Sequence, residues 1–181
     1  MAVTGTNGKT STVYYVNEIM NKLGEITASM GTIGVASPVF NMSGSMTTPD
    51  IVALNQMLHQ LQEKGVKIVA MEASSHGLDQ GRLKGNPLVA GAFTNLTRDH
   101  LDYHQTMENY LTAKSKLFAE CIQENGTAVL NADVPEYDVL KTICLKRSLK
   151  IISYGKNGEM LKLLHQKSTD CGQDLTVGVA G

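Results

Sequence analysis

Gly5-Thr6-Asn7-Gly8-Lys9-Thr10-Ser11 follows the apolar pair Ala2-Val3 and precedes a run that reads as a helix over 9–23. Strand, glycine-containing loop and helix in that order are the setting of a phosphate-binding loop. Glycines let backbone N–H groups approach phosphate oxygens, and the helix N-terminus favours negative charge. In such a loop Lys9 reaches the terminal phosphates and the Thr10 hydroxyl ligates Mg²⁺. The usual spacing G-x-x-x-x-G-K-[ST] asks for glycine at position 3, where the chain has Val3, so the loop is a variant that starts at Gly5. The competing reading is an ordinary turn before a helix; the flanking strand and helix favour nucleotide.

Working outward, strands and helices alternate. Residues 26–36 are β-prone. Thr48 suits an N-cap, with Pro49 at the first helical position and Asp50 complementing the dipole. Ile51, Leu54, Leu58 and Leu61 then recur at helical spacing, and Gly65 ends that helix. The apolar runs 66–71 and 88–93 read as buried parallel strands. A helix is expected at about 106–122, a strand at 127–130, a helix near 135–146 and a strand at 150–154. Beyond Gly155 a helix and a hairpin are both compatible. The sum is an α/β fold, a mostly parallel sheet flanked by helices.

Two strand ends carry chemistry. Glu72 follows the run 66–71, and ligands of open α/β sheets bind beyond the carboxyl ends of strands. A carboxylate there can hold the Mg²⁺ that bridges phosphates, or it can be a capping or salt-bridged glutamate. Ser74 to Gly77 follow with small polar groups. His100 lies beyond the second strand at the same edge, as ligand or structural residue, with Asp102 and His104 as alternatives. The next helix has an anomaly. Its apolar stripe runs Met107, Leu111, Lys114, Phe118, Cys121, whereas Lys116 falls on the polar side. A lysine on such a stripe must snorkel, pair or lose its charge. A neutral amine is nucleophilic and can capture CO₂ as a carbamate, an anionic metal ligand.

Composition is quieter. The chain has 181 residues and a formal net charge of −1, which gives no support for a nucleic-acid binder. No apolar stretch reaches membrane-spanning length and no signal peptide is evident, so a soluble, cytoplasmic protein is the default expectation. Cys121, Cys144 and Cys171 are widely spaced and odd in number, against a disulfide scaffold or zinc knuckle. The length suits one domain. The abrupt strands at both ends predict a piece of a longer protein.

TGTNGKTST (4–12), MTTPD (46–50), MEASSHGLDQGRL (71–83), FTNLTRDHLDYH (93–104), YLTAKSKLF (110–118) and LNAD (130–133) together resemble the central ATP-binding domain of the Mur ligases, most closely the MurE-type branch. The resemblance implies a P-loop nucleotide-binding fold with small β additions. It implies ATP at Gly5, Thr6, Asn7, Gly8, Lys9, Thr10 and Ser11, with Asn131 near the adenine. It implies magnesium held by Thr10, Glu72, His100 and Lys114 as a carbamate, with Lys9, Lys114 and His100 in catalytic roles. Thr47, Thr48, Ser74, Gln80 and Arg82 match positions that contact the UDP-muramoyl peptide. The implied reaction is ATP-driven amide formation in peptidoglycan synthesis. The D-glutamyl carboxylate of UDP-N-acetylmuramoyl-L-alanyl-D-glutamate becomes an acyl phosphate, and diaminopimelate or L-lysine attacks it. The family's flanking uridine-binding and C-terminal domains would then be absent from these 181 residues, which alone would not ligate; a monomer is expected. A folylpolyglutamate synthase-like ligase shares the loop but lacks the SSHGLDQGR segment. A P-loop binding module would have no need of Lys114 on the apolar stripe.

Overall fold

A computed structural model describes residues 1–44 and 46–180. The elements run β1 (Ala2–Thr4), α1 (Lys9–Lys22), β2 (Thr27–Gly31), β3 (Gly34–Ala36), β4 (Asn41–Ser43), α2 (Ile51–Glu63), β5 (Ile68–Glu72), α3 (Ser75–Asp79) and β6 (Leu88–Phe93). They continue with α4 (Leu101–His104), α5 (Met107–Lys116), a π-turn (Leu117–Cys121), β7 (Ile122–Asn131), α6 (Tyr137–Lys146), β8 (Lys150–Gly155), β9 (Leu161–Thr169) and β10 (Gly172–Val179). One sheet holds them in the order β10-β9-β8-β7-β6-β1-β5-β2-β3-β4. The pairings from β2 to β9 across β5, β1, β6, β7 and β8 are parallel. The pairings β2–β3, β3–β4 and β9–β10 are antiparallel, and these hairpins are the small β additions.

β1 lies between β5 and β6, with Val3 opposite both Glu72 and Ala92. That register sets the exits of β1, β5 and β6 side by side at one edge. β1 is only three residues long, yet Ala2 and Val3 are fully buried, because neighbours on both sides complete its hydrogen bonds. Leu54 and Leu61 of the α2 stripe share one core with Phe93 and Leu130 of the sheet and with Leu117, Phe118 and Leu140. Each fully buried side chain of that size contributes roughly 1.5–3 kcal/mol.

Three expectations need correction. The N-cap of α2 is Asp50, not Thr48: Asp50 Oδ1 accepts from the N–H groups of Val52 and Ala53, both at 2.9 Å. Thr48 is turned inward instead. The helix expected at about 106–122 is continuous from Met107 to Cys121, but its last five residues wind in π rather than α form. The Arg147 guanidinium donates there to the carbonyls of Ala119 and Ile122, groups that a regular helix end leaves open. β7 begins at Ile122, not Thr127, because Ile122 pairs with Leu88 before the register shifts to place Ala90 opposite Thr127. The tail beyond Gly155 forms the β9–β10 hairpin. The cysteines are free, with burial raising Cys121 to about 11 and Cys144 to about 12.

Candidate active site

The loop from Gly5 to Gly8 is braced from β6. Thr6 N–H donates to the Asn95 carbonyl at 2.9 Å and Asn7 N–H to Asn95 Oδ1 at 3.0 Å. Thr94 Oγ1 donates to the Asn7 carbonyl at 2.6 Å, and Thr97 N–H donates to Thr6 Oγ1 at 2.9 Å. Gly5 has φ +148°, and a Cβ there would run into Thr94 Oγ1 and sit 3.1 Å from Asn95 backbone atoms. Glycine is therefore required by the close approach as well as by the angle. Gly8 caps α1 in the left-handed region, which leaves the first N–H groups of a 14-residue helix facing the loop.

Two lysines converge on this loop. Lys9 Nζ donates to the carbonyls of Gly5 (2.9 Å) and Thr6 (2.8 Å). Lys114 Nζ donates to the same Gly5 carbonyl at 2.8 Å and lies 4.4 Å from the centre of the Tyr110 ring. Lys114 is 1% exposed, so it does not snorkel, and it forms no ion pair among the described residues. Burial first, and the Lys9 charge second, bring its amine down to about 7. Burial lowers Lys9 as well. The Tyr110 hydroxyl reaches Thr6 Oγ1 at 3.2 Å, so one ring contacts both the lysine and the loop. Lys116 instead pairs with Asp79 at 2.7 Å on the surface, where its hydrogen bond holds the Asp79 carboxyl below its ordinary range.

Glu72 ends β5 and is buried. It is neither a helix cap nor an ion-pair partner among the described residues. Its carboxylate accepts from Thr32 N–H at 2.9 Å and Thr32 Oγ1 at 3.3 Å. Thr10 and Glu72 line one slot of about 160 Å³ with Val13, Tyr14 and Gly31. Among the described residues no three His, Cys, Asp or Glu side chains form a metal-holding group. Mg²⁺ does not need such a group, because it is commonly held by one or two carboxylates together with substrate phosphates and water. A buried carboxylate without a cationic partner and a hydroxyl in the same slot fit that ion.

On the other side of Thr32 a polar cleft of about 340 Å³ brings together Thr32, Thr47, Thr48, Ser74, Arg82, His76 and His100. Thr48 is buried; its Oγ1 donates to the Glu72 carbonyl at 3.0 Å and accepts from Ser74 N–H at 2.9 Å. It thus ties the TTP segment to the exit of β5. Ser74 Oγ caps α3 by accepting from Gly77 N–H at 3.1 Å. Arg82 donates through Nη1 to the Thr48 carbonyl (2.6 Å) and through Nε and Nη2 to Gln80 Oε1 (3.0 and 2.6 Å). Arg82 makes no salt bridge among the described residues, and Gln80 acts on the cleft by holding it. His100, at φ +51°, faces the cleft beside Asp99, with its ring centre 5.0 Å from that of His76. Asp102 is exposed, and His104 is buried with Nε2 unpartnered among the described residues. Asn131 stands on the far flank, at the end of β7. Its Nδ2 donates to the Thr94 carbonyl at 2.8 Å, tying the β7 exit to that of β6. Ser11 is exposed on the first turn of α1.

Sequence reasoning missed Thr32, Thr94, Asn95 and Tyr110. Thr94 and Asn95 follow an apolar strand as Glu72 does, and that signal could have found them. Thr32 sits in a two-residue turn, and nothing in its spacing marks it.

The model of the Mur ligase middle domain matches residues 3–178. A UDP-N-acetylmuramoyl-L-alanyl-D-glutamate–2,6-diaminopimelate ligase of Bradyrhizobium diazoefficiens is 46% identical over 162 residues, 87% of this chain and 33% of that protein. The ligase of the same name from Zymomonas mobilis is 44% identical, over 99% of this chain and 37% of its own length. A solved structure of a ligase so named superposes with a TM-score of 0.87 at 32% identity, covering 97% of this chain and 36% of that one. The chain thus spans about a third of the length of the relatives it matches.

Proposed function

The chain belongs to the Mur ligase family, matching its middle domain, and from that premise we propose that it is the ATP-binding part of a cytoplasmic ligase that extends UDP-N-acetylmuramoyl-L-alanyl-D-glutamate by one amino acid. The names of the two relatives support 2,6-diaminopimelate, rather than L-lysine, as that amino acid. The observation that carries the proposal is the meeting of the loop, Lys9, Lys114 and Glu72 at the exits of β1 and β5, next to the cleft of Thr47, Thr48, Ser74 and Arg82. A nucleotide and an acid substrate can meet at that edge.

The roles follow from chemistry. Backbone N–H groups of residues 5–11 and the start of α1 take the ATP phosphates, and Lys9 turns from its two carbonyls to the terminal phosphate. Asn131 is the candidate contact for adenine. Thr47, Thr48, Ser74, Gln80 and Arg82 orient the muramoyl dipeptide so that its D-glutamyl carboxylate faces the γ-phosphoryl group. Transfer gives an acyl phosphate; attack by the amine forms the amide and releases phosphate. Thr10, Glu72, His100 and Lys114 as a carbamate would hold magnesium, which when bound neutralises charge on the phosphoryl oxygens. Lys114 suits carbamate formation because its amine, brought to about 7, is partly neutral at physiological pH.

The test is titration of the chain with MgATP, for wild type and Lys9→Ala, with intact-mass analysis of Lys114 in bicarbonate buffer. Binding lost in the variant and a CO₂ adduct lost in Lys114→Met are expected. Equal binding by wild type and Lys9→Ala would overturn the nucleotide reading.

A further inference from the structure

Thr32 joins the Glu72 carboxylate to the polar cleft. It occupies the turn between β2 and β3, and one residue holds both oxygens of a buried carboxylate. Its backbone N–H donates to Glu72 Oε1 at 2.9 Å and its hydroxyl to Glu72 Oε2 at 3.3 Å. Gly31 makes this approach possible, since a Cβ there would collide with Glu72 Oε1. On its other side Thr32 Oγ1 lies 3.1 Å from Thr47 Oγ1, and both threonines line the polar cleft.

A hydroxyl has one proton to give, and an ionised carboxylate only accepts. The Thr32 proton therefore goes to Glu72, and Thr47 must supply the proton between the two threonines. The order runs one way, from Thr47 to Thr32 to Glu72. Thr47 then has no proton left for the cleft and turns only lone pairs towards it.

We infer that Thr32 is a positioning residue that orients Glu72 towards its cation and, through this proton order, makes Thr47 an acceptor that selects a hydrogen-bond donor, an N–H or O–H, on the bound acid substrate. The inference rests on Glu72 being a metal ligand. Partners that orient a metal-binding carboxylate typically matter about ten-fold or more in metal affinity.

The experiment follows Mn²⁺ binding to the chain by electron paramagnetic resonance in the presence of a non-hydrolysable ATP analogue, together with binding of UDP-N-acetylmuramoyl-L-alanyl-D-glutamate. The proteins are wild type, Thr32→Val, Thr32→Ser, Thr47→Val, Thr32→Val/Thr47→Val and Glu72→Gln. Thr32→Val should weaken Mn²⁺ about ten-fold with an unchanged unfolding midpoint, and Thr32→Ser should restore it, which a merely structural role would not do. Thr47→Val should leave Mn²⁺ binding near wild type. Thr32→Val and Thr47→Val should each weaken the dipeptide nucleotide, and the double variant should be no worse than the worse single one. Unchanged Mn²⁺ affinity in Thr32→Val alongside a loss in Glu72→Gln overturns the role of Thr32 alone, as do additive losses in the double variant or failure of serine to rescue. Equal Mn²⁺ binding by wild type and Glu72→Gln, or none by wild type, overturns the metal reading of Glu72 and takes this inference with it.

Discussion

Replacing Lys114 by methionine should make the folded chain more stable, and the gain should shrink as pH rises. The amine is ordinarily charged up to 10.5 but titrates at about 7 in the fold. Between these values the native chain holds the neutral form while the unfolded chain holds the ammonium. Unfolding therefore takes up a proton, and wild-type stability increases with pH across this window. At about 1.4 kcal/mol per decade, the lysine costs roughly 4 kcal/mol at pH 7 and roughly 2 kcal/mol at pH 9. Methionine keeps most of the apolar volume beside Tyr110. It forgoes the bond to Gly5 O, which Lys9 continues to supply. A lost hydrogen bond from a neutral amine is worth about 0.5–1.5 kcal/mol, so the net gain at pH 7 is about 2.5–3.5 kcal/mol. The pH dependence is the cleaner readout. In CO₂-free buffer the melting temperature of Lys114→Met minus that of wild type should fall by about 4–8 °C from pH 7 to pH 9. Bicarbonate at pH 8–9 should then raise the wild-type melting temperature and leave the variant alone, because a group that adds only to the native amine stabilises it. A temperature difference that stays constant from pH 7 to 9 would refute the reasoning, since Lys114 would then be charged throughout.

Other outcomes are equally specific. Gly5→Ala should lower stability by about 2–4 kcal/mol in urea unfolding, through strain at φ +148° and the collision with Thr94. Arg147→Met removes the donors to the Ala119 and Ile122 carbonyls but keeps the apolar stem. It should cost about 2–3 kcal/mol and speed hydrogen exchange around residues 117–122. Leu130→Ala, at a fully buried position, should cost about 2–5 kcal/mol as read by thermal unfolding.

Much of the fold was legible because its signals are local. The runs 66–71 and 88–93 became β5 and β6, and the stripe of Ile51 to Leu61 became α2, where Leu54 and Leu61 are buried, Leu58 packs partly buried and Ile51 stays exposed. Errors arose where a tertiary partner overrides a local signal. Thr48 looks like a cap but is drawn inward by the Glu72 carbonyl and Ser74 N–H, and Asp50 takes its place. The strand expected from Thr127 begins earlier, because Leu88 extends β7 back to Ile122. The helix before it yields to a π-turn because a guanidinium 28 residues away accommodates its carbonyls. In the site, the misplaced lysine on an apolar stripe was visible from spacing alone, and its burial is as that stripe requires. The braces were not. Thr32, Thr94, Asn95 and Tyr110 act through hydrogen bonds across 15 to 104 positions, for which no short motif exists.

The carbonyl of Gly5 has one further consequence. It has two lone pairs, and Lys9 and Lys114 each direct a proton to it. The loop thus contains its own competitor for the cation that an incoming phosphate needs. Any measured affinity is an exchange constant, the preference of Lys9 for an anionic oxygen over two neutral carbonyls. Weakening those carbonyl contacts would tighten phosphate binding without adding a single contact to the ligand.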